Sequence, residues 1–430
     1  MTYREAVAWL YGQQLHGIRL GLETMQRLCV AVGVDLAPTP VGRGKAAPAL
    51  SVRRSTLGGS ERPFFIHVAG TNGKGSVCAM LDAIYRAAGF RTGLYTSPHL
   101  VTFRERIRLD GAMIPEADVA AGLTEIRNAT AQWDEQPTFF EIATALALGW
   151  FQDERAQVVV LETGLGGRLD ATNVVVPAVS VLTPIDLDHQ HYLGDTITKI
   201  AAEKCGIIKP GVPVVSALQW PEAREVIERT AAARECALHE VVDEVEPRLP
   251  VSLTGTHQHW NAALARTVIE VAAVHTRFLS VPAEAVAKGL ASVGWPGRFQ
   301  RVGGRIVLDG AHNPAAAATL AHTWREVFGA QKATLILAAM RDKDTRGVCA
   351  ELTPIAARVF TVRVENARSC TAEELAAIAQ PAQAMPSLAA AIEHAKTHAE
   401  PILIAGSLFL VGEALVALGL AESEGERSEQ

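Results

Sequence analysis

The sequence predicts an α/β protein of two domains: a phosphate-binding domain with a parallel sheet flanked by helices, then a smaller α/β domain. Three observations carry this. Residues 64–76 pass from an apolar strand (64–68) into Gly70-Thr71-Asn72-Gly73-Lys74-Gly75-Ser76, and a helix follows over 77–88. Apolar β-rich runs then alternate with helical patterns, the signature of a parallel sheet covered on both faces. A second alternating series begins after Gly294-Trp295-Pro296-Gly297, and a Pro/Gly cluster of this kind marks a domain boundary. The expected division is 1–296, 297–422 and a polar, frayed tail at 423–430.

In chain order, the first series reads as strand 92–96, helix 138–153, strand 158–161, strand 179–183, helix 196–207 and strand 212–216. The strand-like stretch 101–109 is polar and is expected outside the main sheet. The second series reads as strand 305–308, helix 314–328, strand 333–338, helix 345–356 and strand 358–362. Two Ala-rich helices and a final strand and helix complete it. Residues 37–63 are rich in Pro, Gly, Ser and Arg without periodicity, so they form a loop. Its five basic residues either meet an anionic ligand or are simply solvated.

A chain of 430 residues can bury substantial cores. The net charge of −6 gives no basic field for nucleic acid. Six cysteines, at 29, 78, 205, 236, 349 and 370, form no C-x-x-C pair, a pattern that suits a reducing compartment. The N-terminus lacks an apolar core of signal-peptide length. The apolar stretch 402–420 carries Glu413 and reads as strand, turn and helix rather than a membrane span. A cytoplasmic protein is expected.

The glycine turn has the parts of a phosphate cradle. Glycines let backbone amides approach oxygens, the helix dipole favours negative charge, and Lys74 adds a cation. The strict Walker A spacing is not met, because Val68 replaces its first glycine and Gly75 separates Lys74 from Ser76. Further polar clusters close other strands, where open α/β sheets bind ligands. Ser97 in Thr96-Ser97-Pro98-His99-Leu100 either offers a hydroxyl to a metal or caps a turn. Glu162 closes an apolar strand, the usual place for a magnesium ligand in a phosphate-loop protein. His189, beside Asp186 and Asp188, is a ligand or a structural hydrogen bonder. Lys204 is a solvated helix-end lysine unless it is neutralised, paired or modified. Asp309 closes a strand of the second domain, and Arg298 at the junction suits a phosphate clamp.

Together these motifs resemble the folylpolyglutamate synthase/dihydrofolate synthase branch of the Mur-type ATP-dependent amide ligases. Residues 70–76, 96–100, 161–173, 187–189, 203–209, 296–300 and 309–314 match its signatures in order. Gly-Ile-Arg-Leu-Gly-Leu-Glu (17–23) and Met-Arg-Asp-Lys-Asp (340–344) also fit. The resemblance implies a P-loop ATPase domain and a smaller Rossmann-like domain, with the active site between them. It implies that Gly70, Thr71, Asn72, Gly73, Lys74, Gly75 and Ser76 hold the ATP phosphates, with Asn261, Arg298 and Asp309 also on ATP. Ser97, Glu162, His189 and Lys204 would hold one or two Mg2+ ions, Lys204 as a carbamylated lysine. Lys74, His189 and Lys204 would be catalytic, and His312 belongs to the same site. Ile18, Arg19, Leu20, Gly21, Thr138, Phe139, Phe140, Glu141, Leu169, Asp170 and Ala171 would line the pterin site, although Asp170 can also merely cap its turn.

Three departures stand out. Cys205 replaces the commoner alanine after Lys204, Pro184 and Asp186 occupy a motif that more often reads Ser and a small residue, and the 37–63 loop is long. The implied reaction makes an acyl phosphate from ATP and a substrate carboxylate, which the amine of L-glutamate then attacks. The implied partners are ATP, L-glutamate, dihydropteroate and reduced folates, with no nucleic acid or membrane, and the chain is expected to be a monomer. Narrower readings are a ligase that only extends folates, or a Mur-type ligase acting on a UDP-linked muropeptide. The Asn-Gly-Lys-Gly-Ser form, the 17–23 motif and Arg-Leu-Asp-Ala-Thr-Asn argue against the muropeptide. A nucleotide-dependent regulator without ligation is disfavoured by intact Lys74, Glu162, His189, Lys204 and Asp309.

Overall fold

The computed structural model describes residues 1–17, 19, 21–37, 62–242 and 249–422. Ile18, Leu20, nearly all of the 37–63 loop and the 423–430 tail lie outside the described residues.

Two sheets organise the chain. The first contains β1 (Phe64–Ala69), β2 (Thr92–Tyr95), β3 (Ile107–Leu109), β4 (Ala112–Met113), β5 (Val158–Glu162), β6 (Val179–Leu182), β7 (Val214–Ser216) and β8 (Leu238–Glu240). Their spatial order is β4-β3-β2-β5-β1-β6-β7-β8. From β2 to β8 every pairing is parallel, so the Val-rich central strands are buried on both faces by separate apolar clusters. The polar 101–109 stretch does not stand outside this sheet. Its last three residues form β3, antiparallel to β2 and paired on its other side with β4, because Ile107 and Leu109 alternate inward around the half-buried Arg108.

The second sheet contains β9 (Gln300–Val302), β10 (Ile306–Asp309), β11 (Ala333–Leu337), β12 (Ala356–Thr361), β13 (Gln383–Ala384) and β14 (Ile402–Ala405). Its order is β13-β12-β11-β14-β10-β9, with only β9 antiparallel. The helix expected over 345–356 stops at Leu352, and a short 3-10 turn, Thr353–Ile355, leads straight into β12. Pro354 lacks the amide that would continue the helix.

The glycine-turn helix starts at Lys74, three residues earlier than its apolar pattern indicates, because polar first-turn residues are invisible to periodicity. Chain order and sheet order together determine where the site lies. The adjacent strands β2, β5, β1 and β6 all end at the same edge, so the loops after Tyr95, Glu162, Ala69 and Leu182 lie side by side. Among the described residues no helix is long and apolar enough to cross a membrane.

Candidate active site

The glycine loop is pinned before it can bind anything. Gly70 has φ +150°, and a Cβ there would lie 1.9 Å from Thr183 Oγ1, so only glycine lets the loop pass β6. The amides of Thr71 and Asn72 donate to Pro184 O at 2.9 and 3.2 Å. Thr71 Oγ1 donates to Asp186 O and accepts from Asp186 N, both at 3.0 Å. The 184–186 departures thus contribute backbone groups, which any residue carries. The first intrahelical bond is Val77 N–H to Gly73 O. That leaves the amides of Lys74, Gly75 and Ser76 at the helix N-terminus for an anion.

Two lysines converge on one carbonyl. Lys74 Nζ donates to Gly70 O at 3.1 Å and to Thr71 O at 3.2 Å, and Lys204 Nζ donates to Gly70 O at 2.7 Å. Lys204 is therefore not a solvated helix-end lysine; it is 4% exposed. Burial, then the Lys74 charge, lowers its pKa to about 7.

Glu162 ends β5, and its Oε2 accepts from Ser97 N at 3.1 Å. Burial raises its pKa, against the pull of Lys74. No side-chain cation forms an ion pair with it among the described residues, and the charges of Lys74, Arg298 and Arg106 act on it only from a distance and do not offset its burial. Ser97, on the neighbouring strand end, lines the cleft beside it. This oxygen pair fits a hard divalent cation. No three His, Cys, Asp or Glu side chains converge among the described residues, so such an ion would keep water ligands. His189 has φ +51°, and its Nε2 accepts from Lys343 Nζ at 3.2 Å. Burial, then the Lys343 charge, holds its imidazole neutral, with a pKa near 3.

The second domain closes the cleft through polar contacts. Asp188, 8% exposed, accepts from Lys343 Nζ at 2.6 Å and from Asn313 Nδ2 at 3.1 Å. Burial works to raise this carboxyl, but hydrogen bonding from His312 and the charges of His189 and Lys343 outweigh it and hold the pKa well below the ordinary range. Asn313 and Asn72 exchange amide hydrogen bonds across the domains. His312 Nδ1 donates to Gly310 O at 2.8 Å. Asp309 accepts from the amides of Phe299 and Ala311, both at 2.8 Å, and Arg298 faces the same cleft. Asn261 is tied to Gln258 at 3.0 Å, and Gln258 reaches Ser76 Oγ at 3.4 Å.

The resulting cleft, about 1000 Å³, brings together the glycine loop, Ser97, Glu162, His189, Lys204, Asn261, Arg298, Asp309 and His312. Its far end holds Arg19, Gly21, Thr138 to Glu141 and Leu169 to Ala171. Thr138 and Glu141 form a reciprocal helix cap, Phe139 stacks on Tyr11 at 5.6 Å, and Arg19 pairs with Glu135 at 2.8 Å. Asp170 does cap its turn. It accepts from Leu165 N at 2.8 Å, Thr172 N at 3.0 Å and Thr172 Oγ1 at 2.5 Å.

Sequence reasoning gave no role to Lys343, Asn313, Gln258 or the trio of buried Arg106 and His99 with half-buried Tyr11. Arg106 Nε donates to His99 Nδ1 at 2.8 Å, and His99 Nε2 meets Tyr11 at 3.2 Å, bracing the Ser97 loop. Gln258 was findable, three residues before Asn261 on one helix face. Lys343 and Asn313 act across domains, which no local spacing reveals.

Residues 68–243 match the Mur ligase middle domain and residues 297–408 the Mur ligase glutamate ligase domain. Fold and site together define a Mur-type ligase. The chain is 33% identical over 446 residues to the dihydrofolate synthase/folylpolyglutamate synthase of Bacillus subtilis (strain 168), covering 96% of this chain and 98% of that one. Escherichia coli FolC in complex with DHPP and ADP superposes with a TM-score of 0.82 at 32% identity, over 96% and 97% of the two chains. The Mycobacterium tuberculosis folylpolyglutamate synthase complexed with ADP gives 0.83 at 29% identity over 100% of both. The chain belongs to the dihydrofolate synthase/folylpolyglutamate synthase family, and it is an ATP-dependent amide ligase.

One buried group beneath the site sets an acid limit. His67 on β1 is fully buried. Thr172 Oγ1 donates to Asp170, so it accepts from His67 Nε2 at 2.8 Å. Burial lowers the His67 pKa from 6.5 to about 3. Between those values the unfolded chain binds a proton that the folded chain refuses, so stability falls as pH drops from 6.5 towards 3. The loss is on the order of 5 kcal/mol, a large share of a domain's stability. His67→Gln, which keeps a partner for Thr172, should flatten this decline in urea titrations across pH. Parallel profiles for the two proteins would show that His67 is not the acid-sensitive group.

Proposed function

We propose that this enzyme adds L-glutamate to dihydropteroate and then further glutamates to reduced folates, at a single site. In this reading, residues 1–296 form the ATP- and folate-binding domain and residues 297–422 the ligase domain. The carrying observation is the shared cleft, in which an anion-binding loop, a buried carboxylate without a direct ion-pair partner and an aromatic-walled compartment face Arg298 and Asp309. Its expected form is a cytoplasmic monomer acting on small molecules.

The amides of Lys74 to Ser76 hold the ATP phosphates, while Asn261, Arg298 and Asp309 hold the rest of the nucleotide. Lys74 leaves the Gly70 and Thr71 carbonyls and meets the charge that develops as the substrate carboxylate attacks the γ-phosphate. This yields an acyl phosphate and ADP. The glutamate amine then attacks the acyl carbon, forming the amide and releasing inorganic phosphate. Ser97 and Glu162 would hold Mg2+, with His189 and a carbamylated Lys204 as further ligands, and the ion would supply positive charge against the phosphates. Phe139, Phe140, Leu169, Asp170, Ala171, Arg19 and Gly21 orient the pterin ring so that the carboxylate at the far end of the substrate lies in line with the γ-phosphate.

Lys74→Ala should lower ADP formation by about 100-fold or more without changing the melting temperature, since it removes charge pairing and no core volume. Near-normal turnover in a folded variant would remove the phosphate-loop assignment.

Carbamylation of Lys204 requires a neutral amine. With a pKa of about 7, roughly half the Lys204 amines are neutral at pH 7, against fewer than about one in a thousand for an ordinary lysine. The neutral fraction falls below pH 7, so bicarbonate should stimulate activity and the stimulation should weaken in acid. Lys204→Ala should be inactive and partly rescued by short carboxylic acids. An unmodified amine in a crystal grown near neutral pH with magnesium and nucleotide would contradict this.

The dual activity is tested by supplying dihydropteroate, and then a reduced folate, as acceptor with saturating glutamate, magnesium and ATP. Asp170→Asn keeps a capping oxygen but loses a carboxylate's ability to take paired pterin N–H donors. It should impair dihydropteroate glutamylation at least about tenfold while ATP binding holds. A wild-type protein that extends folates but leaves dihydropteroate untouched would leave only the polyglutamylating activity.

A further inference from the structure

Gly75, the residue that breaks the strict phosphate-loop spacing, is explained by the residue it faces. It is buried, and its φ is not positive, so its backbone would accept a side chain. A Cβ there would lie 2.8 Å from Trp295 Nε1, 3.4 Å from Cε2 and 3.6 Å from Cζ2, its three nearest neighbours. Trp295 belongs to the interdomain linker, three residues before Arg298. The Arg108 guanidinium sits 5.7 Å from its ring centroid. Trp295 also lines a small pocket behind the loop, together with Ser97, Glu162 and Arg298. On its other side the linker is fixed to the second domain: Gly310 N donates to Gly297 O at 2.9 Å, and Phe299 N donates to Asp309 at 2.8 Å.

We infer that Trp295 is a positioning residue: its indole, seated on Gly75, sets the distance between the phosphate loop and the linker that carries Arg298. The loop is glycine at position 75 because the linker approaches to contact distance there, and the same contact aims Arg298 and Asp309 at the nucleotide. The second half of this statement rests on the reading that Arg298 contacts ATP.

Gly75→Ala forces the loop and indole apart, and Trp295→Leu removes the atoms the new methyl would strike. Each single variant should lower kcat at saturating ATP by about tenfold to a hundredfold, because a small misplacement of a clamp costs that much. Gly75→Ala/Trp295→Leu should be about as active as Trp295→Leu alone, because the methyl has nothing left to strike, with circular dichroism confirming folded protein throughout. If the two single losses multiply in the double variant, the steric coupling is wrong. Trp295→Phe carries the same comparison if Trp295→Leu does not fold. Aiming is tested separately: Trp295→Leu/Arg298→Ala should be as active as Arg298→Ala alone, whereas multiplied losses would overturn it. Full activity in Arg298→Ala would instead reject the nucleotide contact, leaving the Gly75 comparison to stand by itself.

Discussion

The carbonyl of Gly70 is where the rest of the site is anchored. It accepts from Lys74 and from the buried Lys204, while its own Cα has no room for a side chain against Thr183. Two helix ends therefore bring two amino groups to one oxygen. Burial lowers the Lys204 pKa most, and the neighbouring Lys74 charge lowers it further. The backbone constraint thereby becomes a chemical property, a lysine poised near neutral pH.

The joint between the domains is polar where it meets the cleft. Asp188–Lys343 and Asn72–Asn313 are hydrogen-bonded across it, and such pairs give geometry more than net stability. Inter-domain contacts of this kind permit relative motion more readily than an apolar seam does. That suits a cleft which must admit ATP and a folate and release three products. Rigid spacing is instead supplied by the linker, which is packed on both sides and touches the loop at Gly75.

Part of this was legible in the sequence because several site residues directly follow apolar runs. Glu162 and Asp309 end strands whose β-rich patterns stand out, and Gly70 to Ser76 combine glycines, lysine and hydroxyl in one stretch. What escaped was set by tertiary context. The β3 strand looked polar because Arg108 alternates with Ile107 and Leu109. The burial of Lys204 goes with its bond to the carbonyl of Gly70, 134 positions away. Lys343 and Trp295 gain their meaning from partners 155 and 220 positions away, as the differences 343 − 188 and 295 − 75 show. Periodicity and capping rules read neighbours along the chain, and none of these relations is local.

Direction of pKa shift separates residues that hold the site from those that await a ligand. Asp188 is drawn far down because His312, His189 and Lys343 already answer its charge. Glu162 and Asp309 shift upward, and Lys204 downward, each from burial before any other cause. A charged group that folding has desolvated without a full partner raises the free energy of the empty site, and an incoming charge of the right sign relieves it. Asp188 thus belongs to the frame. In the proposed reading, Glu162, Asp309 and Lys204 are groups whose electrostatics a ligand between the domains would complete, which is where electrostatic preorganisation has to lie if the site is to favour a transition state over water.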